Sequence, residues 1–248
     1  MITGILAALP EELATLTSKK IGKGSGVFIG DTVLIAYSGA GPANAEATAR
    51  QLVDQGATRL LSWGCAAGLD ASLKPGDLLV PDRIVDADRN ELVVASEWRT
   101  GCLQALQRLP GALPLRIHEG AIAESRDLIS SSRDKQQLHA RTGAAALDME
   151  SAAIARVARQ YQRDFLALRA VADPATMDLP KAVGYSLDGQ GEVRLDRLMG
   201  FLLCHPLELP GLIRLGLHFN RARITLRRVA GQLQSLTGVG ELTAMETV

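Results

Sequence analysis

"AALDMESAAIARVARQYQRDFLALRAVAD", residues Ala145–Asp173, decides how the rest of the chain is read. It opens on a short apolar strand and turns over two acids, Asp148 and Glu150, into an alanine-rich helix. It closes on Asp164–Asp173, a long apolar strand that ends on a third acid. A strand that is apolar on both faces leaves no side for water, so it belongs inside a sheet clad by helices.

The same alternation recurs outward from this segment. Thr3–Leu9 reads as a first strand, and Val27–Gly30 and Thr32–Ser38 bracket Asp31 as a hairpin. A helix is predicted over Ala43–Gln55 with Gly56 as its C-cap, followed by a buried strand at Thr58–Gly64. Asp77–Ala87 and His118–Ser125 read as strands; a polar stretch with Trp98 leads into a helix over 101–109, and Ser131–Arg141 reads as another helix. Strands alternating with helices predict a layered α/β protein with a largely parallel or mixed sheet. In such sheets chemistry collects where strands end and loops converge, and Glu11, Glu12 and Asp173 all stand at predicted C-terminal strand ends.

Bulk numbers exclude several classes. The 248 residues are 47% hydrophobic and only 4% aromatic, enough apolar material for a substantial core. Lys plus Arg and Asp plus Glu number 27 each, so no global field draws nucleic acid, and no nucleic-acid partner is expected. Cys65, Cys102 and Cys204 are odd in number and scattered, which fits a reducing cytosol rather than a disulfide framework. The first apolar run lacks a basic leader and stops at Pro10, too short for a signal peptide or membrane span. It reads as a buried first strand of a soluble or peripheral protein, and with the cysteines a cytoplasmic location is expected. His118, His139, His205 and His218 show no metal-ligand spacing, so no metal site is expected, and no GxSxG elbow appears to support a serine hydrolase of that kind. Gly39 and Gly41 form a GxG before a helix, but Asn44 stands in place of the third glycine and no acid ends the next strand. These glycines therefore mark close backbone approach rather than a dinucleotide fingerprint.

Glu12, Glu150 and Asp173 can each be read as helix-terminus decoration, since acids favour helix N-termini. Converging on one cleft, the same acids suit cleavage of a glycosidic bond through a cationic sugar transition state. Asp148 reads as a helix cap or as a support behind Glu150.

Composition changes after about Pro180. A polar connector over 184–196 precedes a helix whose apolar residues Leu212, Leu215, Phe219, Ala222, Leu226, Val229 and Leu233 form one stripe. Arg214, Arg221, Arg223, Arg227 and Arg228 occupy the other faces, and no acid occurs between Glu208 and Glu241. The helix can dock on the core with a solvated basic face, or lie on an anionic lipid surface.

Five ordered motifs, "GILAALPEEL", "SGAGPANAEATA", "SWGCAAGLDASLKPGDLLVP", "LDMESAAIARVA" and "LRAVAD", resemble the nucleoside phosphorylase/nucleosidase superfamily over roughly residues 4–180. Within it they are similar to the methylthioadenosine/S-adenosylhomocysteine nucleosidases. The resemblance implies a three-layer α/β/α domain over 1–180 with a twisted mixed sheet, cofactor-free cleavage of purine N-glycosidic bonds, and a homo-oligomer. It assigns Asp173 as the acid that protonates purine N7, and Glu12 as the base that orients water. Glu150 becomes the ligand of the ribose hydroxyls and Met149 the residue packed on the sugar. Cys65 and Ala66 form a substrate-facing loop, and Leu128 and Ile129 fall where the family contacts adenine.

Three departures bear on this. Ala172 replaces a serine, Cys65 stands where serine is common, and Ser62 takes the place of a phosphate-binding arginine. The last favours water over phosphate as nucleophile, unless Arg50, Arg126 or another arginine serves. The segment over 181–248, with its amphipathic helical extension, resembles the tail of the hopanoid-associated phosphorylases. That implies adenosylhopane, a nucleoside-lipid substrate, and peripheral contact with the inner face of the cytoplasmic membrane through the C-terminal helix. Hydrolysis to ribosylhopane is the leading expectation. Phosphorolysis to a phosphoribosyl hopane, a soluble methylthioadenosine/S-adenosylhomocysteine nucleosidase and a non-catalytic nucleoside- or lipid-binding protein are the alternatives.

Overall fold

The structure, a computed structural model, describes residues 1–109, 114–186 and 194–233. Most of the polar connector, and the chain beyond Leu233, lie outside the described residues. The chain opens with β1 (Thr3–Ala7), the short α1 (Pro10–Leu13), β2 (Ser25–Ile29), β3 (Val33–Tyr37) and α2 (Pro42–Asp54). Then come β4 (Arg59–Gly68), β5 (Leu78–Leu79), β6 (Arg83–Val85), β7 (Glu91–Val93), α3 (Ser96–Gln107), β8 (Ile117–His118) and β9 (Ile122–Glu124). The remainder is α4 (Ser132–Thr142), β10 (Ala146–Asp148), α5 (Ser151–Gln160), β11 (Asp164–Asp173), α6 (Lys181–Ser186), α7 (Leu195–Cys204) and α8 (Leu209–Ala230).

The sheet runs β2-β3-β1-β4-β10-β9-β6-β7, and β11 pairs with both β4 and β5. β1 lies parallel to β3 and β4, and β4 parallel to β11, whereas the β2–β3 hairpin and the β4–β10 pair are antiparallel. The sheet is mixed, as expected, and its central strands are buried along their length. α2 and α5 pack on each other and on β1, β3, β4 and β11, while α3 and α8 pack against β11. This is the α/β architecture with a covered sheet and a C-terminal helix.

Two expected strands are broken for local reasons. Asp77–Ala87 is split into β5 and β6 around Pro81, which has no N–H for a ladder. His118–Ser125 is split into β8 and β9 at Gly120, whose φ of +128° no strand adopts. Trp98 lies inside α3, not before it, and is buried with the Arg59 guanidinium 4.5 Å from its ring centre. Asp164–Asp173 coincides with β11.

The C-terminal half of α8 joins the main core through Ala222, Leu226 and Val229, with Leu233 beyond it. Leu212, Leu215 and Phe219 are only half-buried. The outer face differs from the expectation that arginines fill it: Leu209, Ile213, Leu217 and Ile224 form a second, exposed apolar line.

Candidate active site

The candidate site forms where the sheet divides. One edge of β4 pairs with β1 over Arg59–Trp63 and with β10 at Ala67 and Gly68, so Gly64–Ala66 face no strand there. Backbone N–H groups in such a gap need another acceptor. Glu12 supplies it. Its Oε1 accepts the Cys65 N–H at 2.7 Å, and its Oε2 accepts the N–H groups of Ala8 and Leu9, each at 3.1 Å.

Local sequence explains how Glu12 arrives there. Pro10 starts α1 without losing a bond, and a glutamate in the first turn reaches back to the orphan N–H groups ahead of it. Glu11, one residue earlier, is exposed, a difference set by helix phase. Gly64 completes the fit, because a Cβ there would collide with Arg169 Nη1 and stand 2.6 Å from Glu12 Oε1.

Glu150 enters from the β10–α5 junction. Its Oε1 accepts the Gly41 N–H at 2.9 Å. Gly39 and Gly41 have φ of +78° and +95°, so the glycine loop bends until the start of α2 meets this carboxylate. Of the two glycines, Gly41 is the one whose backbone approaches Glu150.

Arg169, which sequence reasoning did not single out, holds the acids together. Its side chain is buried inside β11, with Nε 2.6 Å from Asp148 Oδ2. Its NH2 donates to Ser62 Oγ at 2.7 Å and Ser151 Oγ at 3.1 Å. A charge inside an apolar strand must be paired, and that was the available signal. Asp148 also accepts the Ser151 N–H at 3.1 Å, so it caps α5 and anchors Arg169 at once. Arg50 and Arg126, the other arginines considered, pair with Glu46 at 2.7 Å and Asp88 at 3.4 Å near the surface.

Burial raises the Glu150 pKa to about 7, helped by the neighbouring Asp148 charge and opposed by Arg169. Burial also raises Glu12, against Arg169 and three backbone donors. For Arg169 burial works the other way, and the carboxylates of Asp148, Glu150 and Glu12 outweigh it. Cys65 is partly buried beside this cluster; burial and Glu12 push its thiol far up, so it stays neutral and unreactive. Ala66 is buried next to it, and Met149 is half-buried between Asp148 and Glu150.

Asp173 ends β11 on the same strand as Arg169. A register shift between Val171 and Asp173 re-aims the strand end, as bulges do beside active sites. Both its oxygens are buried without a hydrogen-bond partner, and Oδ2 forms an ion pair with Lys135 Nζ at 2.6 Å. Burial raises its pKa, against the Lys135 charge. Leu128 is exposed and Ile129 partly buried on the segment entering α4, the helix that carries Lys135. The structure thus gathers Glu12, Glu150 and Cys65 around Arg169, with Asp173 further along the strand. No cluster of three or more His, Cys, Asp or Glu side chains suited to a metal occurs among the described residues.

A family model described as the Phosphorylase superfamily matches residues 3–190. The 5′-methylthioadenosine/S-adenosylhomocysteine nucleosidase of Mycobacterium bovis is 26% identical over 220 residues, covering 71% of this chain and 86% of that protein. The enzyme of the same name from Staphylococcus aureus strain Newman is 26% identical over 196 residues, covering 69% and 86%. Among solved structures, a Helicobacter pylori 5′-methylthioadenosine/S-adenosylhomocysteine nucleosidase superposes with a TM-score of 0.70 at 19% identity, covering 95% of this chain and 97% of that one. The futalosine hydrolase of Helicobacter pylori superposes at 0.69 and 17% identity, also covering 95% and 97%. At these identities the superpositions speak for the fold, and the family match speaks for descent. With residues 3–190 matched, the chain belongs to the phosphorylase superfamily.

Proposed function

We propose that this protein hydrolyses the N-glycosidic bond of a 5′-modified adenosine, with Asp173 as acid, Glu12 as water base and Glu150 as ribose ligand. The observation that carries the reading is the buried Glu12–Glu150–Arg169 cluster at the sheet's dividing point, on the strand that ends in Asp173. Adenine is a poor leaving group as an anion, so a proton from an acid held neutral by burial lowers the barrier. As the ribose ligand, Glu150 brings a negative charge that favours an oxocarbenium ion. In this reading Met149 beside it serves the sugar face, Cys65 and Ala66 face the substrate, and Leu128 and Ile129 serve the adenine.

Water is the nucleophile in this reading. A phosphate dianion would meet two carboxylates there, and Arg169 is already engaged by Asp148. Relatives named as 5′-methylthioadenosine/S-adenosylhomocysteine nucleosidases support the nucleoside part.

The substrate we favour is adenosylhopane, released as adenine and ribosylhopane in hopanoid side-chain biosynthesis. Support comes from the resemblance of the tail and from the exposed apolar surface near it. Leu203 and Leu207 are 82% and 93% exposed at the α7–α8 elbow, continuous in sequence with Leu209, Ile213 and Leu217 on α8. Exposed arginines at 214, 221 and 227 accompany them, a pattern that suits the anionic inner face of a membrane. Among the described residues no single helix is long and apolar enough to cross a bilayer.

The test is adenine release from adenosylhopane in detergent, with and without phosphate, beside methylthioadenosine and S-adenosylhomocysteine. Release from adenosylhopane in both phosphate conditions supports the reading. Strict phosphate dependence moves it to phosphorolysis, and turnover of only the small thionucleosides makes it a soluble nucleosidase. Binding without turnover on any substrate overturns the enzymatic reading.

A further inference from the structure

Lys135 is the one wholly buried lysine among the described residues, and nothing in the reaction as drawn above uses it. A buried ammonium is costly unless each of its donors finds an acceptor. Here all three do. Nζ donates to the carbonyls of Pro174 at 3.1 Å and Met177 at 2.8 Å, and lies 2.6 Å from Asp173 Oδ2.

Those partners are not scattered. Pro174 and Met177 belong to the segment that leaves β11 directly after Asp173. That segment is tied again to the start of α4, since the Ser132 N–H donates to Asp178 Oδ1 at 2.6 Å and the Leu179 N–H to Ser130 O at 2.7 Å. The stretch holding Leu128 and Ile129 runs straight into these ties. Lys135 therefore links the acid to the segment read as the base pocket, and its ion pair reaches Asp173 through Oδ2.

We propose that Lys135 positions the Asp173 acid, receiving the carboxylate charge left on Asp173 when its proton passes to the leaving base. The inference rests on the acid role proposed above for Asp173. In the step, the C–N bond breaks with its electron pair leaving on the purine, and the Asp173 proton moves to purine N7, so neutral adenine departs. Asp173 becomes a carboxylate facing an ammonium already in place, which needs no reorganisation at the moment of transfer. Water gives its proton to Glu12 as it attacks the sugar, and solvent exchange restores both acids. The cation also strengthens the acid, offsetting part of what burial does to it. The other charged group near Asp173 is Asp178, whose negative charge acts in the opposite sense.

The experiment compares kcat–pH profiles of wild type, Lys135→Gln, Lys135→Met and Asp178→Asn on whichever nucleoside the wild type turns over. Asp173 works protonated, so activity falls as pH rises through its pKa. Removing the Lys135 charge should move that alkaline limb upward by about one pH unit or more and lower the plateau kcat at least roughly 10-fold. Asp178→Asn should move the limb downward. A lysine that merely packs would lower the melting temperature and leave the limb in place, which overturns the proposal.

Should neither lysine variant fold, 15N resonances of the wild-type lysine ammonium groups decide. One of them should step at the pH of the kcat limb and lose that step in Asp173→Asn; absence of any such resonance overturns the proposal. Full activity in Asp173→Asn would instead remove the acid role itself, a separate outcome.

Discussion

Arg169 Nε lies 2.6 Å from Asp148 Oδ2, with both side chains 2% exposed. The pair joins β11 to the start of α5, and Glu12 and Glu150 both lie within its electrostatic reach. One buried cation thus allows three acids to share a small volume. Breaking such a pair leaves an uncompensated charge, which costs roughly 3–5 kcal/mol. Arg169→Met should therefore lose soluble yield and melt well below wild type, and thermal unfolding checks this. Arg169→Met combined with Asp148→Leu should recover part of the loss, and a double variant no better than the single one would contradict the pairing argument.

Asp173→Asn keeps the shape of the acid and removes its proton. Turnover should fall by about 10²–10⁴-fold, the usual contribution of general acid catalysis. The melting temperature should fall as well, because the wholly buried Lys135 ammonium loses the carboxylate that offsets its charge. Steady-state kinetics alongside calorimetry separates the two effects.

Glu12→Gln should be both slow and less stable. Three N–H donors point at the Glu12 oxygens, and an amide must turn its NH2 toward at least one of them. That mismatch costs roughly 1–3 kcal/mol. Adenine binding, measured by calorimetry, should survive in the folded variant while hydrolysis drops at least about 100-fold.

Activity and stability should move oppositely with pH near neutrality. In the proposed reaction Glu150 serves the ribose as a carboxylate, so kcat/KM should rise as pH passes its pKa of about 7. In the folded state this group keeps its proton between its ordinary 4.5 and about 7, where the unfolded chain has lost it. The folded state binds more protons in that window, so stability falls as pH rises through it, by up to about 1.4 kcal/mol per unit. Glu150→Gln should flatten the melting temperature between those limits, and an unchanged slope would assign the effect elsewhere.

Gly64→Ala tests the packing of the cluster without altering a charge. The added methyl would collide with Arg169 and Glu12. Overpacking of this kind costs about 1–3 kcal/mol. Activity should fall further than stability, because the displaced groups are those that hold water and sugar in the proposed reaction.

Much of the scaffold is local and was legible in the chain. β11 matched its predicted limits because an apolar run bounded by two acids has one sensible register, and α2 and α4 ended near their glycine and serine signals. Breaks at Pro81 and Gly120 are local too, but each lies inside a stretch whose apolar residues on both sides read as a single strand. Glu150 and Asp173 could be picked out by their positions at strand ends, and Glu12 by its place after Pro10, with the ordered motifs adding the roles.

What the sequence by itself determined is the alternation of strands and helices, the family, and which acids stand at strand ends. Periodicity and motif order act over a few residues at a time, and those features live at that range. Only the tertiary structure decided that Gly41 grips Glu150, that Cys65 leans on Glu12, and that Arg169 and Lys135 each stand beside an acid. These contacts join residues far apart in sequence, and buried charges find partners in space rather than along the chain. The same reason separates the two faces of α8. Its inner stripe was visible as spacing, whereas which outer leucines stay bare depended on where the helix meets β11 and where it leaves it.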